Sequence, residues 1–192
     1  MDERDVTELE FTYRPVTDKK RAFPLLFTVV GVSSLLVAIS TVVDTYRGLL
    51  SLLGVMGLTV ATYILTRYTV SEFAYSVMAT ASDELMLVVT KTVGKRVTTL
   101  YSTKVKGIKS IQLFTKDEYK KHKTEKGRLL YNLAPSFSPA SVYIAIIDDA
   151  EEKSEIILEC TEAVVSRLLE CRDYAVIQQK ERYEATYGSD EE

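Results

Sequence analysis

Histidine, the side chain used most often in acid–base catalysis, is almost absent from this sequence. His122 is the only histidine among 192 residues, and it lies between two lysines in a polar stretch. A catalytic triad needs a histidine beside its nucleophile, and zinc sites combine several His or Cys ligands. We therefore interpret His122 as a solvated loop residue and predict no histidine-based site.

The two cysteines do not form a redox or metal-binding motif. Cys160 and Cys171 are eleven positions apart, whereas a redox pair has two intervening residues and a structural zinc site needs further ligands. Thiols also stay reduced on the cytoplasmic side of a membrane. We interpret both cysteines as core-packing residues.

An acidic cluster contains Asp148, Asp149, Glu151 and Glu152. A calcium-binding loop spaces its oxygen ligands around a glycine, and this cluster has neither that spacing nor the glycine. We interpret it as a solvated turn. The sequence also lacks a phosphate-binding glycine loop, a nucleophile elbow and a dinucleotide fingerprint. We therefore predict no enzyme activity, no cofactor and no metal site.

Charge is distributed unevenly along the chain. Residues 68–130 contain 12 Lys and Arg against 6 Asp and Glu, whereas residues 131–192 contain 5 against 14. Basic side chains are attracted to an anionic inner leaflet within a Debye length of about 8 Å. The alternative is that strand alternation scatters them over both faces of a sheet. The candidates for contact with an anionic surface are Lys91, Lys95, Arg96, Lys104, Lys106 and Lys109. The net charge of −3 argues against a nucleic-acid partner.

Two uncharged apolar runs, residues 22–43 and 48–66, indicate where the protein resides. As helices they are about 33 and 28 Å long, and the hydrocarbon core of a bilayer is about 30 Å thick. We predict two membrane spans. The alternative is a pair of buried core helices, but such helices are rarely apolar on every face. The short connector, residues 44–47, makes the spans an antiparallel hairpin.

Basic residues flank the hairpin on the side of the chain termini. Lys19, Lys20 and Arg21 precede the first span and Arg67 follows the second, whereas the connector contains only Arg47. Basic residues accumulate on the cytoplasmic side of spans. We therefore predict a multi-pass protein of the cell membrane with both termini in the cytoplasm.

Small residues recur every three or four positions in each span. Helices in lipid associate by close backbone approach, which small residues permit. We predict that these faces pack within the hairpin, with a homodimer interface through the spans as the alternative. The residues are Gly31, Ser34 and Ala38 in the first span and Gly54, Gly57 and Ala61 in the second.

The region after the spans alternates between apolar and polar residues, which predicts strands. The lysine-rich residues 115–127 form a long loop or a short exposed helix. A helix at residues 161–183 closes the domain and buries Leu168 and Leu169. Seven strands and one closing helix are the order of a PH-like, partly open β-barrel. The seven strands are expected at residues 69–79, 84–93, 96–103, 107–114, 129–134, 141–147 and 154–160.

A family resemblance agrees with this order. Residues 70–76 (VSEFAYS), the Leu-rich strand after them and the turn Gly94-Lys95-Arg96 resemble small Gram-positive bacterial membrane proteins with a two-span hairpin followed by a PH-like domain. The resemblance covers residues 15–180 and implies architecture but no activity. In contrast to eukaryotic PH domains, the chain has no Trp, and residues 69–83 contain no Lys or Arg. We therefore do not expect inositol-lipid binding.

These observations predict an α+β membrane protein with four parts. Residues 1–21 form a cytoplasmic N-terminal segment, residues 22–67 the transmembrane hairpin, residues 68–183 the PH-like domain and residues 184–192 an acidic tail. The predicted function is a membrane-anchored interaction module whose domain binds an unidentified protein or the inner lipid surface. The alternative is an accessory subunit of a larger membrane complex, with the hairpin as its binding surface.

Overall fold

A helical hairpin is the first large unit of the computed structural model, which describes residues 9–16, 22–149 and 153–187. Helix α1 (Ala22–Ser40) and helix α2 (Arg47–Ile64) pack side by side, and the short 3-10 helix Asp44–Tyr46 lies in the turn between them. Helix α2 continues directly as a π-helix, Leu65–Val70. The runs Ala22–Ser40 and Asp44–Val70 are long and apolar enough to cross a membrane.

Small residues form the contact between α1 and α2. A Cβ atom at Gly57 would collide with the side chain of Ser33, and one at Gly54 would lie 3.0 Å from the backbone oxygen of Ser33. The hydroxyl of Ser51 donates a 2.9 Å hydrogen bond to the hydroxyl of Ser40. On α2 the small residues therefore permit close approach, and Ala61 is also buried.

The α1 side of this contact differs from the sequence expectation. Gly31, Ser34 and Ala38 are exposed, and nothing lies within 4 Å of a Cβ position at Gly31. The buried residues near the contact on α1 are Ser33 and Ser40 instead. The reason is steric: Ser33 fits the space above the α2 glycines, so α2 approaches the serine face of α1 and leaves its glycine face open.

The first sheet contains four antiparallel strands in chain order, and one of them precedes the hairpin. Strand β1 (Phe11–Tyr13) pairs with β2 (Glu72–Ala79), which pairs with β3 (Leu85–Val93), which pairs with β4 (Arg96–Lys104). The helical hairpin is thus inserted between two neighbouring strands. The sequence analysis did not predict β1, because three residues are too few for an alternating pattern to be recognised.

The second sheet has the order β5-β7-β8-β6 and lies beside the first. Its strands are β5 (Ile108–Thr115), β6 (Leu129–Asn132), β7 (Ser141–Asp148) and β8 (Lys153–Leu158). Strand β6 is parallel to β8, whereas the other pairs are antiparallel. A short helix α3 (Lys116–Lys121) follows β5, and the long helix α4 (Glu162–Tyr187) follows β8.

The structure corrects the expectation of a seven-stranded partly open barrel. Eight strands form two four-stranded sheets, and within the described residues no strand ladder joins them. The break falls at the 3-10 turn Val105–Gly107 between β4 and β5, where Val105 is fully buried. A buried turn at this point redirects the chain, so β5 starts a new sheet instead of extending the first.

One core fills the space between the sheets and α4. Alternate residues of β2 and β3 point into it, and Leu168 and Cys171 of α4 are 1% and 0% exposed. The predicted burial of Leu168 is confirmed, whereas Leu169 is only half-buried. The strand residues of the first sheet that face this core are Phe73, Tyr75, Val77, Leu85, Leu87 and Val89.

Tyr75 connects the two sheets through its buried hydroxyl. The hydroxyl donates a 3.0 Å hydrogen bond to the backbone oxygen of Leu133, after β6, and accepts a 3.2 Å bond from the backbone N–H of Glu159, after β8. Burial raises the pKa of Tyr75 well above its usual value. The side chain therefore stays a neutral donor and acceptor at every physiological pH.

The burial of Leu9 gives a test of the N-terminal strand. Leu9 is 3% exposed and belongs to the core, whereas Val16, beyond the strand, is 91% exposed. Leu9→Ala should lower the free energy of unfolding by about 2–5 kcal/mol, because it leaves a cavity. Val16→Ala should change it by less than about 0.5 kcal/mol. Thermal unfolding of the full chain in detergent checks both values, and equal melting temperatures would contradict the docking of β1.

The two glycine faces of the hairpin give a second test. Ser40→Cys and Ser51→Cys replace the hydrogen-bonded hydroxyls, so oxidation of this double variant reports whether α1 and α2 remain in contact. Adding Gly57→Leu should reduce disulfide formation strongly, because overpacking costs about 1–3 kcal/mol. Adding Gly31→Leu should leave it unchanged, since that site is open. If Gly31→Leu reduced disulfide formation and Gly57→Leu did not, α2 would pack on the face of α1 that contains Gly31.

Candidate functional site

Arg67, at the end of the helical hairpin, contacts both sheets. The Nη2 atom of Arg67 donates hydrogen bonds to the backbone oxygens of Asn132 (2.9 Å) and Ala134 (3.3 Å). Its guanidinium carbon lies 4.5 Å from the ring centroid of Phe73. Strand β2 begins only two positions after the π-helix, so no linker separates the hairpin from the sheets. We call the end of the sheets that contacts Arg67 the span-proximal end and the opposite end the span-distal end.

An aromatic contact extends the span-proximal end to the loop before β7. The rings of Tyr68 and Phe137 meet edge to face, with centroids 5.3 Å apart. Phe137 nevertheless remains 43% exposed. The loop before β7 therefore places an exposed aromatic ring next to the end of the hairpin.

Three of the six predicted surface cations lie at the span-distal end and are paired with acids. The Nζ atoms of Lys104 and Lys106 lie 3.0 and 2.8 Å from the carboxylate oxygens of Glu84. Lys109 lies 3.9 Å from Asp148. Hydrogen bonds from Lys106 and Lys104 hold the pKa of Glu84 below its usual value, so these ion pairs persist into acidic solution. Each of these three lysines thus has a carboxylate within 4.0 Å, although Glu84 is shared by two lysines and Asp148 by three cations.

The other three cations lie at the span-proximal end. Glu72, the first residue of β2, pairs with Thr92, so the turn between β3 and β4 projects past the start of β2. This turn carries Lys95 and Arg96, which are both exposed, and needs Gly94 for its left-handed backbone (φ +59°). Lys91 lies opposite Phe73 and is half-buried. Burial, with the nearby charge of Arg67 as a smaller cause, lowers its pKa.

A buried acid–histidine pair lies on the outer face of the second sheet. Glu155 of β8 is 1% exposed, and its Oε2 atom lies 2.7 Å from Nε2 of His122. Its other oxygen, Oε1, accepts a 3.0 Å hydrogen bond from the backbone N–H of Glu125. The ring of His122 also packs edge to face on Phe114. The interpretation of His122 as a solvated loop residue is therefore wrong.

The same contacts hold the lysine-rich segment against the sheet. Arg128 donates a 2.9 Å hydrogen bond to the backbone oxygen of Ile147 and a 2.8 Å bond to the carboxylate of Glu125. Helix α3 is closed at its start by Thr115 and Glu118, which bond to each other's side chain and backbone. Tyr119 packs on a second, smaller core of Ala134, Val142, Ile144 and Ile157. Glu155, a carboxylate in the largely apolar strand β8, was the one sequence feature from which this arrangement could have been predicted.

Neither cysteine is suited to act as a nucleophile. Cys171 is fully buried and Cys160 is half-buried, and both are free thiols. Burial, with the nearby Glu159 carboxylate as a smaller cause, raises the pKa of Cys160 to about 12. A thiol acts as a nucleophile in its deprotonated form, which is scarce here at neutral pH.

The acidic turn before β8 is only partly described. Asp148 lies within 4.0 Å of Lys109, Arg128 and Lys153, so its charge is balanced. Glu151 and Glu152 lie outside the described residues. Across residues 9–16, 22–149 and 153–187, no group of three or more His, Cys, Asp or Glu side chains could hold a metal ion.

Comparison with known protein families decides the affiliation of the chain. The family model described as bacterial PH-like domain (DUF6106) matches residues 10–178, which include β1, the hairpin, both sheets and most of α4. The chain belongs to this family. The resemblance to bacterial proteins with a PH-like domain is thus confirmed. Curated proteins and solved structures gave no match. PH-like domains are typically non-catalytic interaction modules.

The acid–histidine pair of the PH-like domain gives a third test. Glu155→Ala removes the acceptor of His122 and of the Glu125 N–H, which costs about 1–3 kcal/mol at a buried site. Local opening of residues 116–128 should then increase about tenfold or more, since 1.4 kcal/mol corresponds to a factor of ten. Limited trypsin digestion at the lysines of this segment measures the opening.

Glu170→Ala serves as the control for that digestion, because Glu170 is exposed on α4. The control should be cleaved at the rate of the unaltered chain. Equal cleavage rates in Glu155→Ala and the unaltered chain would show that the pair does not hold the segment in place.

Proposed function

We propose that the protein is a membrane-anchored, non-enzymatic interaction module. In this proposal the hairpin lies in the cell membrane, and the PH-like domain binds a partner at the cytoplasmic surface. The observation that carries the proposal is the pairing of β1, which precedes the hairpin, with β2, which follows it. Strands in one sheet are on one side of a membrane, so a hairpin between them enters and leaves from the same side.

The surface of the helices supports the anchor. Large apolar side chains project from both helices and are not covered by other described residues; Phe27, Leu35 and Tyr63 are 71%, 60% and 60% exposed. Contiguous apolar surface of this extent is rare on monomeric soluble proteins. A bilayer would remove it from water.

The cytoplasmic orientation is supported by the positions of the basic residues. Arg67 lies at the domain end of the hairpin, and Lys19, Lys20 and Arg21, which precede α1, lie outside the described residues. The connector carries Arg47 alone. In the sequence, the cations before α1 and after α2 outnumber those of the connector, which favours a cytoplasmic domain.

The span-proximal end is the surface that such a module would use. Lys95 and Arg96 project there from the β3–β4 turn, close to the point where the hairpin meets the domain. An anionic leaflet attracts each such cation by about 1 kcal/mol. We infer that the lipid surface is bound here, whereas Lys104, Lys106 and Lys109 are engaged in ion pairs at the other end.

Labelling of introduced cysteines in intact cells tests the anchor and its orientation. Thr45→Cys, in the connector, should react with a membrane-impermeant maleimide, and Lys109→Cys, in the domain, should react only after permeabilisation. The native thiols add little background, since Cys171 is buried and the pKa of Cys160 is raised to about 12. Reversed labelling would place the domain outside the cell, and labelling of both sites in intact cells would contradict a spanning hairpin.

One observation favours the alternative of an accessory subunit that binds through the hairpin. The face of α1 with Gly31, Ser34 and Ala38 is not used by α2. If a copurifying partner were lost with Gly31→Leu but kept with the double variant Lys95→Glu/Arg96→Glu, the hairpin would be the binding surface. The opposite result would favour the domain.

A further inference from the structure

A set of lysines on α3 and the segment after it has no ion-pair partner within the described residues. Few acidic residues lie between these lysines, and two of them have other partners: Glu118 bonds to Thr115, and Glu125 bonds to Arg128. The paired lysines of the domain lie at the span-distal end, toward which the segment runs after α3, since Arg128 lies 3.6 Å from Asp148. The lysines of α3 itself are Lys116, Lys120 and Lys121, and Lys123 and Lys126 follow it; all five are exposed.

This segment begins at the span-proximal end. The backbone N–H of Lys116 donates a 3.1 Å hydrogen bond to the backbone oxygen of Ala140. Ala140 is three positions after Phe137, whose ring meets that of Tyr68 at the end of the hairpin. The start of α3 is therefore connected to the end of the hairpin by one ring contact, a short loop and one backbone hydrogen bond.

The segment is also held in a fixed orientation. Tyr119 packs on the second core, His122 bonds to the buried Glu155, and Arg128 bonds to the backbone of Ile147. A surface that is ordered before binding loses little conformational entropy when it meets a partner. The lysines are thus presented by a rigid support and not by a disordered tail.

An apolar side chain accompanies the lysines at this end of the domain. Phe137, in the loop that Lys116 bonds to, is 43% exposed. A combination of lysines with exposed aromatic side chains is typical of protein surfaces that lie in the interfacial layer of an anionic membrane. A purely electrostatic protein interface would not need the apolar residue.

We propose that α3, with Lys116, Lys120 and Lys121, forms a cationic surface that docks on the anionic lipid headgroups of the membrane in which the hairpin lies. The inference rests on the proposed function, because the hairpin is what brings this surface to the bilayer. The first sheet is proposed to contact the membrane through the β3–β4 turn, and α3 adds a contact from the second sheet. Two separated contacts fix the tilt of the domain on the membrane, which one contact cannot do.

Fluorescence quenching on the full chain in lipid nanodiscs tests the proposal. A fluorophore is attached at Asp117→Cys, an exposed position on α3. The discs contain phosphatidylcholine with nitroxide-labelled headgroups, either alone or with one third phosphatidylglycerol. Quenching should be stronger in the anionic discs. The difference should disappear at about 1 M NaCl, where the screening length falls to about 3 Å.

Two charge-reversal variants make the test specific. Lys116→Glu/Lys120→Glu should abolish the difference between the two discs. Lys109→Glu/Lys153→Glu makes the same change of charge on two lysines that are 66% and 65% exposed at the span-distal end, and should retain it. Unfolding temperatures of the variants show whether each is folded, and Lys116→Gln/Lys120→Gln, which should halve the difference or more, replaces a variant that is not.

The possible failures are distinguishable. Equal quenching in the two discs, or a difference that survives Lys116→Glu/Lys120→Glu in a folded protein, overturns the proposal and leaves the lysines as a surface for an acidic protein. The anchor and its orientation are tested separately by the labelling of Thr45→Cys and Lys109→Cys. A cytoplasmic domain with no quenching difference would refute the lipid contact of α3 alone.

Discussion

The pairing of β1 with β2 across the helical hairpin is the constraint on which the rest of the arrangement depends. Neighbouring strands are about 4.8 Å apart, so the pairing brings the chain before α1 close to the chain after α2. Three residue pairs alone are a weak ladder. It is supported by the burial of Leu9 and by the Glu10 carboxylate, which accepts a 2.8 Å hydrogen bond from the backbone N–H of Ala79. The sheet thus fixes both ends of the hairpin to one body.

Arg67 extends this constraint from the first sheet to the second. Helix α2 runs through the π-helix into β2, and Arg67 bonds from that junction to the backbone after β6. One terminal nitrogen of Arg67, Nη1, is buried without a hydrogen-bond partner among the described residues. The side chain is therefore held by its Nη2 bonds and by its contact with the ring of Phe73, so the end of the hairpin contacts both sheets. In the proposed membrane anchor, this contact would determine which end of the domain faces the bilayer.

The sequence was informative where one face of an element is buried and the pattern is long. Strand β3 was predicted within one residue of its observed bounds, because Leu85, Leu87 and Val89 alternate with partly exposed neighbours. Strand β1 is too short for such a pattern, and the parallel pairing of β6 with β8 depends on contacts that no local pattern encodes. The glycine face of α1 was expected at the hairpin contact, but the fit of one serine against α2 decided that contact.

The candidate site was less predictable than the fold, because charge counts contain no geometry. Six cations of similar type were indistinguishable in the sequence, and the structure divides them between two ends of the domain. His122 was set aside as the single histidine in a run of lysines, although its partner Glu155 is a carboxylate in an otherwise apolar strand. Long-range pairing of this kind turns a lysine-rich segment from an expected solvated loop into a surface with a fixed position.

The orientation of the sheets relative to the hairpin also bears on whether this domain could bind lipid in the way that eukaryotic PH domains do. Their inositol-lipid site uses cations in the first strand of the domain and the turn after it, and the sequence comparison set residues 69–83 against that region; in the structure the turn at residues 80–83 joins β2 to β3. This turn contains no Lys or Arg. It also lies at the span-distal end, since Ala79 pairs with Leu85 at the opposite end of the sheet from Glu72 and Thr92. A bilayer that holds the hairpin would therefore face the other end of the domain. With the hairpin in a bilayer as proposed, a lipid contact of the domain would be made by the β3–β4 turn and by α3, and residues 80–83 would be turned away from the headgroups.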